Sequence, residues 1–96
     1  MNTYKTDPIL FEEKAEILKV ISNPARLCIV RTLCLKDNCN VTDMQACLNK
    51  PQSTVSQHIS KLKAAKIIVG KRKGKEVYYS LNNGEVRNII NSLFND

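Results

Sequence analysis

Apolar residues recur along this chain at helical spacing in five stretches, and the period changes once, near the C-terminal third. Asp7-Pro8 opens the first stretch, an N-cap residue followed by a proline at the first helical position, where its missing N–H costs nothing. Ile9, Leu10, Ile17, Val20 and Ile21 follow, with acids early and lysines late, which suits the helix dipole. Ser22-Asn23-Pro24 ends this helix and starts a second one by the same device. The second helix is expected to reach Lys36, with Leu27, Val30, Leu33 and Cys34 inward. Asp37-Asn38 is a turn, and Thr42 is the expected cap of a short third helix carrying Met44, Cys47 and Leu48. Asn49-Lys50-Pro51-Gln52 then turns tightly into a fourth helix, Pro51 to Lys66, with Ser53 as its N-cap. Val55, Ile59 and Leu62 form its narrow apolar stripe.

After Lys66 the pattern becomes that of strands. Ile67, Ile68 and Val69 are β-branched, Gly70 to Lys75 is a basic loop, and Val77 to Leu81 is the returning strand. Asn82-Asn83-Gly84 breaks it, and Glu85 to Phe94 forms a last helix with Val86, Ile89, Ile90, Leu93 and Phe94 on a wide apolar face. The order is α-α-α-α-β-β-α: a mainly α chain with a small β-hairpin, a winged helix-turn-helix in one DNA-binding and dimerisation domain over residues 1–96. The apolar surplus on the first and last helices is large for a small monomer. Either those helices cover each other within one chain, or they pair with their symmetry mates in a homodimer. The second arrangement is the expectation, through Ile9, Leu10, Phe11, Ile89, Ile90, Leu93 and Phe94.

Charge adds what the pattern leaves out. The net charge is +6, and no acidic residue occurs between Asp43 and Glu76, an interval holding eight of the fifteen Lys and Arg. A single-sign stretch in a folded domain repels itself unless a polyanion neutralises it. No helix here joins flanking basic residues to a wide apolar face, so a membrane surface is a poor fit and nucleic acid a better one. Aromatic residues make up 5% of the chain and Trp is absent, which disfavours stacking on single strands. Double-stranded DNA is therefore the expected partner. The outward side of the fourth helix carries Ser53, Gln57, Ser60, Lys61 and Ala64, with Thr54 and Ser56 on its shoulders, and suits phosphates and base edges. No long apolar run suggests a membrane span, and the acids of the first eighteen residues exclude a secretory leader, so a cytoplasmic, nucleoid-associated protein is expected.

Three segments in order carry a family resemblance. Asn23-Pro24-Ala25-Arg26-Leu27 with Ile29-Val30, Gln52-Ser53 with Val55-Ser56-Gln57-His58-Ile59 and Leu62, and Gly74-Lys75 with Val77-Tyr78-Tyr79-Ser80-Leu81 resemble the ArsR/SmtB superfamily of bacterial winged-helix repressors. Pro51 to His58 together with Glu76 to Asn83 look closest to its PagR-like branch, which lacks metal ligands. The resemblance implies a homodimer that binds an inverted-repeat operator and represses transcription. It puts operator contacts on Gln52, Ser53, Ser56 and Gln57, with the wing at Arg72, Lys73 and Lys75 along the backbone. Thr54, Lys61 and Lys71 complete the expected DNA-binding set.

No cofactor is expected. Relatives of this kind bind metal through a Cys-x-Cys pair before the third helix, where this chain has Asn40 and Thr42, neither a soft-metal ligand. Others use His and acids on the last helix, where only Glu85 and Asp96 stand here. His58 lies toward the apolar stripe and is expected to hydrogen-bond inside the domain. As the only His it has no second imidazole with which to hold a metal. The four cysteines read as small apolar residues, above all Cys47 and Cys34. The alternative function is the same regulator acting as a cysteine-based redox or reactive-sulfur switch through Cys34 and Cys39, or as a metal-responsive repressor. Such a switch requires an exposed thiol of lowered pKa. An enzyme is not expected: His58 is mid-helix, no Gly-rich phosphate loop exists, and no carboxylate pair lies near it.

Overall fold

Side-chain caps set the helix starts in the computed structural model, which describes residues 2–95. The Asp7 carboxylate accepts the Leu10 N–H at 3.2 Å and opens α1 (Pro8–Ile21). The Asn23 amide oxygen accepts from Ala25 and Arg26 and opens α2 (Pro24–Leu35). At α3 (Val41–Leu48) the cap is Asn40, not the expected Thr42. Asn40 Oδ1 accepts the Asp43 N–H at 2.9 Å while the Asp43 carboxylate accepts the Asn40 N–H at 3.1 Å, a reciprocal capping pair that starts the helix two residues before the expected cap.

Asn49, in the left-handed region at φ 55°, closes α3, and only Lys50 and Pro51 separate it from α4 (Gln52–Ala64). Ser53 is thus not the N-cap. Pro51 occupies that position with no side-chain bond, and Ser53 lies in the first turn, exposed. The helix also ends before Lys66. Lys66 turns left-handed at φ 60°, and the Ile67 N–H reaches back to the Leu62 carbonyl at 3.0 Å with both side chains buried, a Schellman closure.

The strands β1 (Ile68–Lys73) and β2 (Glu76–Leu81) pair antiparallel, with Gly70 opposite Tyr79 and Lys73 opposite Glu76. The expected six-residue loop is therefore a two-residue turn, Gly74-Lys75, which Gly74 permits at φ 67°. Asn83 caps α5 (Gly84–Leu93) by accepting the Val86 N–H at 3.1 Å. The order is α-α-α-α-β-β-α, a winged helix-turn-helix.

The core centres on α2, which touches α1, α3, α4, α5 and β2. Ile29, Val30 and Leu33 are its fully buried residues, and Leu27 and Cys34, half-buried, pack against the same core, so Ile29 joins the expected inner face. Val55, Ile59 and Leu62 of α4 close over it. Cys39 forms a one-residue bridge to β2: its N–H donates to the Tyr79 carbonyl at 3.1 Å and its carbonyl accepts from Tyr79 at 2.8 Å. This bridge seats the wing on the α2–α3 connection. Cys47, expected inside, is exposed. Among the described residues no helix is long and apolar enough to cross a membrane.

Ile9, Phe11, Leu93 and Phe94 remain 66%, 41%, 63% and 37% exposed. α1 and α5 meet through a Lys14–Glu85 ion pair over a groove lined by Ile17, Leu18 and Ile89, and they leave these outer residues open. Ile90 is 0% exposed and belongs to the chain's own core, so it must be removed from the expected dimer surface. Leu10 and Ile89 are half-buried.

Candidate nucleic-acid interface

Because Val55, Ile59 and Leu62 anchor α4 inward, its opposite side must face solvent. Gln52, Ser53, Gln57, Ser60 and Lys61 are exposed, and Thr54 and Ser56 lie half-buried at the edges. The wing adds Lys71, Arg72, Lys73 and Lys75, all exposed. The strand pleat divides them. Lys71 and Lys73 stand on the same face as Tyr78 and Glu76, whereas Arg72 shares the other face with Val77 and Tyr79, and Lys75 sits in the turn. A groove containing Gln52, Thr42, Lys75 and Glu76 joins the start of α4 to the wing. Lys61 lies elsewhere, beside Glu16, Lys19 and Arg26 at the far end of α4.

The ion pairs found among the described residues, Lys14–Glu85 and Asp37–Arg87, lie away from this surface. The cations of α4 and the wing are thus free of carboxylate partners among the described residues, and phosphate oxygens can take that place without breaking an ion pair. The one acid on the wing, Glu76, is already engaged. It accepts from Asn40 Nδ2 and from the Tyr78 hydroxyl, both at 2.9 Å. That hydrogen bond and the charge of Glu76 hold the Tyr78 hydroxyl above its ordinary pKa. Asn38 and Tyr78 join Lys71, Arg72 and Lys73 around a concavity on the wing, a grouping that sequence spacing gave no means of foreseeing.

His58 is half-buried and accepts at Nδ1 from Arg26 Nη1, 3.3 Å away. Arg26 also donates from Nε to the Val20 carbonyl at 2.5 Å. Burial, and then the positive charges of Arg26, Lys61 and Lys50, hold His58 below its ordinary value of 6.5.

Cys34 and Cys39 are neither fully exposed nor lowered in pKa. Burial raises the pKa of Cys34 despite Arg87 and Arg31, and burial with Asp43 raises that of Cys39. Cys39 is buried, and its Sγ donates to the Lys36 carbonyl at 3.2 Å. The other two thiols, Cys28 and Cys47, are also unpaired to any disulfide. Among the described residues no three of His, Cys, Asp and Glu gather where a metal would bind, and Asp96 lies outside them.

Residues 23–68 match the family model described as bacterial regulatory protein, arsR family. The transcriptional repressor PagR of Bacillus anthracis is 42% identical over 90 residues, covering 94% of this chain and 90% of PagR. The HTH-type transcriptional repressor SmtB of Mycobacterium tuberculosis is 35% identical over 81 residues, covering 84% of this chain and 59% of SmtB. The crystal structure of PagR superposes with a TM-score of 0.81 at 44% identity, over 88% of this chain and 97% of that one.

Proposed function

The chain belongs to the ArsR family of bacterial regulatory proteins, and from that premise we propose that it binds a specific inverted-repeat operator as a homodimer. Its relatives are transcriptional repressors, not enzymes, and the chain is a DNA-binding regulator of the same kind. What carries the finer proposal is one observation: the exposed side of α4 continues into the wing as a basic surface whose cations have no carboxylate partner among the described residues, the wing's own Glu76 being already engaged.

In this arrangement α4 enters the major groove. Gln52, Ser53, Ser56 and Gln57 meet base edges, with Thr54 beside them, and Lys61, Lys71, Arg72, Lys73 and Lys75 follow the phosphates. The open apolar residues of α1 and α5, Ile9, Phe11 and Leu93, support a twofold pair. Two reader helices about 34 Å apart would then meet successive grooves.

The test is a pair of substitutions. Gln57→Ala lowers the preference for the operator over random duplex by about 1–3 kcal/mol. Arg72→Ala weakens all duplexes alike and reduces the salt slope. If Arg72→Ala changed sequence preference instead, the wing would be reading a groove.

A further inference from the structure

We propose that Arg26 is a positioning residue for α4: by donating both to the Val20 carbonyl and to Nδ1 of His58, it holds the helix at the angle that base recognition needs, and only while His58 is neutral. This rests on the DNA-binding function proposed above.

The geometry fixes the roles. A guanidinium has donors and no acceptor, so at 3.3 Å the His58 Nδ1 must be the acceptor and its proton must sit on Nε2. The second bond, 2.5 Å to Val20, satisfies one of the carbonyls left open in the last turn of α1, where a cation is also favoured by the dipole. Arg26 itself stands in the first turn of α2. One side chain thus ties together α1, which the proposed dimer uses, and α4, which the proposed operator contact uses.

A second proton on His58 would occupy Nδ1, remove the acceptor and set an imidazolium against the guanidinium. The charges acting on His58 would not compensate. Arg26 on α2, Lys61 on α4 and Lys50 in the turn are all positive. On the α1 side the cleft holding Arg26 and Lys61 is bordered by one acid, Glu16, and one base, Lys19.

Protonation has two opposed effects on DNA. The added charge favours any duplex, whereas the released helix loses discrimination. The ratio of affinities for operator and random duplex separates them, because the general charge effect is common to both.

The experiment measures that ratio between pH 7.5 and 5.0, using a duplex recovered from genomic fragments bound by the full chain and a shuffled duplex of equal length. In the native protein the ratio falls about tenfold, the loss of one good base contact, with a midpoint below 6.5. In His58→Gln, which does not titrate, the ratio stays level with pH. In Arg26→Lys, a point donor without the fork, it is already reduced at pH 7.5. Nitrogen NMR of the DNA-free protein shows the His58 proton on Nε2, with α4 backbone amides shifting at the His58 midpoint. A level ratio in the native protein, an equal fall in His58→Gln, or α4 amides indifferent to the titration overturns the proposal. Absence of any duplex preference at pH 7.5 instead defeats the operator function, and the NMR measurement alone then decides the role of Arg26.

Discussion

Asn40 Nδ2 donates to Glu76 Oε2 at 2.9 Å, joining the cap of α3 to the tip of the wing, beside its turn. The same side chain accepts the Asp43 N–H, so one residue both starts a helix of the helix-turn-helix and braces the hairpin behind it. Asn40→Ala removes both and lowers stability by about 1–2 kcal/mol. Asn40→Ser keeps a cap oxygen and loses the brace, so its urea midpoint falls between the two. Equal midpoints for all three proteins would show that the cap is idle.

Gly70 and Gly84 are opposite cases of one substitution. A Cβ at Gly70 would lie 2.9 Å from Tyr79 Cε1 and from Val77 Cγ1, on the face that the wing turns toward the core. Gly70→Ala therefore costs about 1–3 kcal/mol by displacing Tyr79, and with it the bridge to Cys39. A Cβ at Gly84 meets nothing within 4 Å, and Gly84→Ala stabilises by about 0.4–1 kcal/mol. Thermal melts of the two variants shift in opposite directions.

The depressed pKa of His58 makes stability depend on pH. Its unfolded chain takes up a proton near 6.5, while the folded protein resists until a lower pH. Between those values the unfolded state binds more protons, so stability is fully present above 6.5 and is lost as the pH falls through the folded value. His58→Gln removes this component. Urea unfolding at pH 7.5, 6.5 and 5.5 therefore gives a shallower decline for the variant than for the native chain.

Thiol reactivity should follow exposure and thiolate supply. Cys47 is exposed, whereas Cys39 is buried with a raised pKa. Brief alkylation at pH 7.5 with mass analysis labels Cys47 first and Cys39 only on unfolding. Peroxide forms no Cys34–Cys39 disulfide in the folded chain and leaves DNA affinity unchanged.

Most of the fold was legible because its signals are local. Asp7-Pro8 and Asn23-Pro24 each place a cap and a helix start within two residues, and the structure puts α1 and α2 there. The Val55–Ile59–Leu62 stripe needed only helical spacing, and all three are buried. Two local signals competed at the start of α3, Asn40 and Thr42. The structure uses the Asn40–Asp43 pair, although Thr42 has Gln45 three residues on and offers the same pattern. The Cys39–Tyr79 bridge and the burial of Ile90 depend on residues distant in sequence, which periodicity cannot see. The internal partner expected for His58 exists, but that it would be Arg26 was not readable from spacing. The exposed members of the α4 surface followed from projection, while the split of Lys71 and Lys73 from Arg72 awaited the strand register.

The central claim is that α4, carried on a paired scaffold, distinguishes one duplex sequence from another. Its most direct test is the affinity of the purified chain for a recovered genomic duplex and for its shuffled counterpart, each from 50 to 200 mM salt. The expected result is tighter binding to the recovered duplex at every salt concentration, with both affinities falling steeply as salt rises, by orders of magnitude for several phosphate contacts. Equal affinity for the two duplexes, from protein that remains folded, would contradict it.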